Sequence, residues 1–192
     1  MKKSFDVVIV GIGGQGTVLA SNVLGDACVI EGRHVAGAET HGMSQRGGSV
    51  ETHIRIDGKN GSLIVPGTAD LLIAFDVLEA LRYRHFVKPD GVMIINREMV
   101  VPTSVFSNKQ PVPKLEDVEA QLKAWSGKVV LVDAAKLAAE AGSPLAANIV
   151  LMGAASHTLP LAAESLAEAV RRNVPPKTID INVKAFELGK AA

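Results

Sequence analysis

A chain of 192 residues with 47% apolar and 21% charged side chains is long enough to bury a core and too apolar for disorder. Its 20 basic and 20 acidic residues cancel, which leaves no electrostatic footprint for nucleic acid or a membrane surface and little repulsion against self-association. The single cysteine, Cys28, excludes an internal disulfide and a cluster held by this chain alone, since an iron–sulfur cluster needs about four thiolates.

The first strand signal, Phe5-Asp6-Val7-Val8-Ile9-Val10, runs straight into Gly11-Ile12-Gly13-Gly14-Gln15-Gly16. Glycines at 11, 13 and 16 fit the dinucleotide fingerprint: a tight turn, a close backbone approach, then close helix–strand packing. Thr17 to Glu31 reads as a helix whose free N–H groups could hold an anion, with Cys28 on it as a small core hydrophobe. Met1-Lys2-Lys3 is basic, but the apolar run behind it is a strand with no cleavage pattern.

His34 to Ala36 suggests a short second strand. Ser49 to Ile56 alternates Val50, Thr52, Ile54 and Ile56 against Glu51, His53 and Arg55, the period of a strand with one wet face. Leu71 to Phe75, Val92 to Ile95 and Val129 to Val132 are short apolar runs suited to strands covered on both faces. Helical periodicity marks 76–86, 115–125, 133–141 and 162–173. Asp76, Asn96 and Asp133 end three strands. Asp76 and Asp133 read as helix N-caps, whereas Asn96 precedes no clear helix.

Pro102, Pro111 and Pro113 bracket a polar stretch, Ser104 to Gln110, excluding a central strand or a helix interior there. Ile149 to Ala163 comes nearest to a membrane span, but Ser156, His157, Thr158 and Pro160 break it short of the roughly 18 apolar residues required. After Pro175-Pro176, Ile179, Val183, Phe186 and Leu188 can pack as a last helix. The order is that of an α/β, Rossmann-like, doubly wound and mostly parallel sheet with helices on both faces. A single domain over residues 1–192 and a cytoplasmic location are expected.

Gly37 to Val50 is glycine-rich and does not read as a buried element. Glu39 lies a little beyond the spacing of about 20 residues expected for a ribose-binding acid. Glu39 and His41 are an acid/base pair without an accompanying nucleophile or metal-ligand spacing. Arg46 beside Gly47-Gly48 offers a planar fork and bare amides to an anion or a partner. A solvated glycine-rich turn into the next strand fits the same residues.

Gly11 to Gly16, followed by Glu39-Thr40-His41-Gly42-Met43-Ser44-Gln45-Arg46-Gly47-Gly48-Ser49-Val50 and by Asn148-Ile149-Val150-Leu151-Met152-Gly153-Ala154, resembles the gamma domain of 2-oxoacid:ferredoxin oxidoreductases. The likeness is greatest to the small (beta) subunit of the indolepyruvate type. It implies a subunit of an enzyme that decarboxylates a 2-oxoacid to an acyl-CoA and reduces ferredoxin. Thiamine diphosphate, Mg2+ and the iron–sulfur clusters would then reside in a large (alpha) partner subunit, with CoA as co-substrate. The chain itself would bind no metal and carry no catalytic residue. Gly11, Gly13, Gly14, Gln15 and Gly16 would form an anion or CoA loop. Glu39, His41, Gln45, Arg46, Gly47 and Gly48 would lie at the partner interface or near CoA. The isolated chain could dimerise. A stand-alone NAD(P)-dependent oxidoreductase and a noncatalytic nucleotide or acyl-CoA module remain open alternatives.

Overall fold

The computed structural model describes residues 4–41, 48–59, 61–109, 111–125 and 127–192, with only the backbone of His41, Thr103 and Ser104. Six strands form one sheet: β1 Phe5–Ile12, β2 Val35–His41, β3 Ser49–Ile56, β4 Ala69–Ala74, β5 Val87–Asn96 and β6 Lys128–Val132, in the order β2-β3-β1-β4-β5-β6. β1, β4, β5 and β6 are mutually parallel, and β3 alone runs antiparallel, wedged between β1 and β2. The sheet is mostly parallel, as expected, and its one reversed strand, β3, pairs antiparallel with both β1 and β2.

Around it lie α1 Thr17–Ile30, α2 Val77–Tyr83, α3 Thr103–Ser107, α4 Leu115–Lys123, α5 Ala134–Ala141, α6 Ala147–Ala155, α7 Ala163–Asn173 and α8 Ile179–Lys190. Alternation along the strands divides the core in two. Val7, Ile9, Ile54, Ile56, Leu71, Ile73 and Ile94 face α1, α5, α6, α7 and α8. Val8, Val10, Leu72, Ala74, Met93 and Ile95 face α2 and α4.

α6 is buried on nearly every side because it lies between the sheet and α8, which accounts for its unbroken apolar run. Gly153 and Gly189 let the two helices meet backbone to backbone. A side chain on Gly189 would collide with the Val150 carbonyl group.

Three sequence expectations change. The second strand extends to His41 rather than stopping at Ala36, because Val35 to His41 pair residue by residue with Ile56 to Val50. The stretch after Pro102 forms a short helix, Thr103–Ser107. Its first turn tolerates the preceding proline, since the N–H groups there have no helical acceptor. Finally, the polar face of β3 is not wet. His53 and Arg55 are buried at 2% and 7% exposure, closed over by the segment that follows β3.

Each polar residue of that face is matched. Arg55 donates from Nε and Nη2 to the two carboxylate oxygens of Asp6, both at 3.0 Å, and reaches the carbonyls of Gly61 and Leu63. His53 Nδ1 accepts from the Ile64 amide at 3.0 Å, so Nε2 carries the proton directed at Glu51, also at 3.0 Å. Phe86 packs edge-on against the imidazole at 5.1 Å. Composition suggested solvent here; pairing made burial tolerable.

Candidate functional site

The C-terminal edge of the parallel strands is where an open α/β sheet places its ligand crevice. Here the ends of β1, β4 and β5 meet the start of α6. A crevice of ≈ 230 Å³ opens between Gly14, Gln15, Phe75, Asn96, Glu98 and Asn148.

The glycine loop forms one wall, and each glycine has a distinct reason to be there. Gly16 caps α1 at φ 87° and no side chain caps the helix. A Cβ on it would collide with the Asn148 amide. Gly14 has φ 106° and faces open space, a left-handed geometry that favours glycine. Gly11 is hemmed in by Gln15, Thr17 and Phe75.

Several loop amides are already taken. Gln15 Oε1 accepts from the Ile12 amide at 2.7 Å, and the Gln15 amide donates to the Ile12 carbonyl at 3.0 Å. The Gly13 amide donates to the Gly48 carbonyl at 2.9 Å. A dinucleotide fold uses such a loop to cradle a diphosphate; this one spends part of it on its own side chain and on the end of the β2–β3 connection.

The acidic residue is displaced as well. In the dinucleotide arrangement the second strand lies beside the first, whereas β3 intervenes here. With strands about 4.8 Å apart, Glu39 sits on a strand roughly 10 Å from β1. Its carboxylate accepts from Ser21 Oγ of α1 at 2.9 Å. Glu39 and Ser21, with Asp26 and Asn173, line a separate open groove of ≈ 690 Å³ between α1 and the hairpin. Thr52 also borders that groove, and its buried hydroxyl has no hydrogen-bond partner among the described residues.

The structure therefore brings Gly11 to Gly16 and Gly48 together but sets Glu39 apart from the crevice. His41 ends β2, and its side chain, with Gln45, Arg46 and Gly47, lies outside the described residues. Asp76 and Asp133 are N-caps: Asp76 accepts from the Leu78 and Glu79 amides at 2.7 and 3.1 Å, and Asp133 from the Lys136 amide at 3.2 Å. Burial raises the Asp76 carboxyl, opposed by amides of Val100, Glu79 and Leu78 and by Arg82.

Glu79 does not close a reciprocal capping box. Its side chain instead accepts from Ser49 Oγ and pairs with Arg82 Nη1 at 2.8 Å. Burial raises the Glu79 carboxyl, opposed by Ser49 and Arg82 and reinforced by Asp76.

Asn96, unassigned by sequence, is a junction. Its amide donates to the Phe75 carbonyl at 3.3 Å and to Glu98 at 3.0 Å, and its oxygen accepts from the Ala134 amide at 3.2 Å. It thus ties β4, β5 and α5 behind the crevice. Asn148 appeared in the sequence only within the family-like run at 148–154. No spacing rule joins it to a loop more than a hundred residues earlier; only the docking of α6 over α1 does.

Residues 6–192 match the family model for pyruvate ferredoxin/flavodoxin oxidoreductases. The chain belongs to that family. It is 41% identical to the indolepyruvate oxidoreductase subunit IorB of Pyrococcus horikoshii, over 99% of this chain and 96% of that protein. It is 38% identical to the subunit of the same name from Archaeoglobus fulgidus, over 96% and 92%. The gamma subunit of a keto/oxoacid ferredoxin oxidoreductase from Geobacter sulfurreducens superposes with a TM-score of 0.72 at 23% identity, over 98% of this chain and 95% of that one. At that identity the superposition speaks for the fold, and it agrees with the Rossmann-like reading.

Proposed function

We propose that this chain is the small subunit of an indolepyruvate, or more broadly aryl pyruvate, ferredoxin oxidoreductase. The observation that carries the reading is the near full-length match to indolepyruvate oxidoreductase subunits. The reaction cleaves the bond between the carboxylate and the 2-oxo carbon. It passes two electrons to ferredoxin and the acyl group to CoA, releasing carbon dioxide.

The residues of this chain do not fit the reaction's redox and carbanion-stabilising groups. Cys28 is its single thiol, and it is fully buried in the core, where desolvation pushes its pKa to about 11. A cluster ligand must instead be a thiolate. Among the described residues no group of three or more His, Cys, Asp and Glu is placed to hold a metal ion. No step is therefore assigned to these residues. Thiamine diphosphate, Mg2+ and the clusters belong to a large alpha subunit, and ferredoxin docks on the assembled enzyme. Glu39, His41, Gln45, Arg46, Gly47 and Gly48 lie at the interface with that subunit or near CoA, and the glycine loop takes an anion or CoA. The single buried thiol suits the reducing cytoplasm, and among the described residues no helix is long and apolar enough to cross a membrane.

The displaced Glu39 and the self-occupied loop also argue against an independent NAD(P) enzyme. Co-expression with a thiamine- and cluster-bearing subunit tests the proposal. The expected result is a stable complex that reduces ferredoxin only when both indolepyruvate and CoA are supplied. Failure to assemble, together with saturable NADH binding that Glu39→Ala abolishes, would overturn it in favour of a stand-alone dehydrogenase.

A further inference from the structure

We infer that the groove between α1 and the β2 and β3 strands binds a small organic ammonium ion: a primary amine on an apolar body that ends in a second, uncharged hydrogen-bonding group. The groove lies apart from the glycine loop, and its ligand does not depend on the subunit assignment.

At ≈ 690 Å³ the groove falls within the roughly 300–1,000 Å³ of ordinary ligand pockets. Two glycines that the backbone does not require hold it open. Gly25 lies in the middle of α1 and Gly37 in β2, and neither has a positive φ. Glycine is unfavourable in the interior of either element. A Cβ on Gly25 would meet nothing within 4 Å, and one on Gly37 would come no closer than 3.4 Å to Ile54. Close packing therefore explains neither glycine. What their missing side chains leave is the groove itself.

At its floor is an unsatisfied hydroxyl. Thr52 stands on β3 between Ile9 of β1 and Glu39 of β2, and it is 0% exposed. The alternation that puts Ile54 and Ile56 in the core beneath α1 aims Thr52 the same way, toward the groove it lines. Its Oγ1 is the one buried side-chain nitrogen or oxygen without a hydrogen-bond partner among the described residues. A valine would fill this place without that cost, and the hydroxyl gains a partner from what enters the groove.

Charge and polarity set the class. Asp26 borders the groove half-buried, accepts from Asn173 Nδ2 at 3.3 Å, and has no basic partner among the described residues. The cation on the rim, Arg172, is engaged by Glu168 at 3.0 Å. An occupant must therefore bring positive charge and N–H donors to Asp26. Val29, which is 65% exposed, with Val35 and Ile54, offers apolar surface to its body. The charged end stays with the half-buried carboxylate and the uncharged polar end goes down to Thr52, the orientation that costs least in desolvation.

The full chain alone is titrated with tyramine, phenethylamine, tyrosol and hydroxyphenylpropionate, followed by amide NMR. Tyramine should shift Gly25, Asp26, Gly37 and Thr52 and saturate with a Kd of about 1 mM, as a weak fragment-sized ligand does. Phenethylamine lacks the phenol and tyrosol lacks the charge, and each should bind about fivefold to tenfold more weakly. The carboxylate should not bind.

Thr52→Val removes only the hydroxyl. It should raise the urea midpoint of the free chain, because the unpartnered group is gone, and yet make tyramine bind no better than phenethylamine. Asp26→Asn should erase the preference for tyramine over tyrosol. Gly25→Leu fills the groove from a position where the first added carbon touches nothing, so it should stay folded and lose tyramine altogether. Absence of saturable shifts at these residues in the unsubstituted chain would overturn the inference, since the groove then holds solvent only. So would equal binding of the carboxylate, or a folded Gly25→Leu chain that binds tyramine as its parent does. Unchanged discrimination in both Thr52→Val and Asp26→Asn would overturn it too. Because no partner is present, any of these results leaves the subunit proposal standing.

Discussion

Replacing Gly153 by alanine tests the close packing of α6 on α8. The added Cβ would lie 2.9 Å from both Lys190 N and Phe186 C, and nearer still to the Phe186 carbonyl oxygen. A carbon meets a carbonyl oxygen across helices at about 3.3–3.6 Å, so α8 must withdraw. The obstructing atoms are backbone, and the Phe186 side chain is fully buried, so no rotamer change relieves the clash. Overpacking of this kind costs about 1–3 kcal/mol, and rigid neighbours place it at the upper end. Alanine returns about 1 kcal/mol of helix propensity, leaving a net loss of about 2 kcal/mol. For a chain of this size that lowers the melting temperature by roughly 4–8 °C. Gly25→Ala on α1 is the internal control. It is also helical, and nothing lies within 4 Å of the added carbon, so it should gain up to about 1 kcal/mol. Urea titrations of the three full-length chains give both differences, with the m-value checking that the transition is unchanged. A Gly153→Ala chain as stable as its parent would refute the backbone contact between α6 and α8.

Asp6→Asn leaves the Arg55 guanidinium buried without its counter-charge and should lower stability by about 3 kcal/mol in urea. Glu168→Gln, which breaks an exposed pair with Arg172, should change it by no more than about 1 kcal/mol; equal effects would show that the Asp6–Arg55 pair is not buried. Burial raises Glu79 above its ordinary value of 4.5, so between the unfolded and folded pKa the native state keeps a proton that the unfolded chain has lost. That contribution is full below pH 4.5 and fades as pH rises through the folded value. Glu79→Gln should therefore gain on its parent between about pH 4 and pH 7, and a difference independent of pH would contradict the shift. Cys28, with its thiol pushed up to about 11, should react with a disulfide reagent at pH 8 only as fast as the core opens. Prompt labelling of the native chain would place it at the surface.

What was legible in the sequence followed local rules. Short apolar runs gave β4, β5 and β6, and the strand-to-glycine switch gave β1, its turn and α1. Asp76 and Asp133 gave two helix starts, because a cap and its helix are neighbours in the chain. The misread positions depended on distant partners. Glu51, His53 and Arg55 looked solvated because the residues that satisfy them include Asp6, 49 positions from Arg55, and Ile64, 11 from His53. Glu39 read as a possible ribose ligand because the sequence does not announce that β3 enters the sheet between β2 and β1. Asn96 sits in no motif and Asn148 only in the family-like run at 148–154; their long-range contacts arise only where helix docking and strand ends converge.

That intervening strand also ties the two family-like motifs into one structural unit. β3 runs back from the 42–48 connection and pairs Val50 with Gly11 and Ser49 with Ile12. Gly48 then accepts the Gly13 amide, so the glycine loop and the connection share a hydrogen bond. A parallel second strand beside β1 would deliver an acid to the loop's ligand; an antiparallel one delivers the end of its own connection. The loop is thereby held from one side, while its open side is left to the α1 amides and Asn148. The fingerprint of a nucleotide fold survives here with the amides of Ile12, Gly13 and Gln15 turned inward.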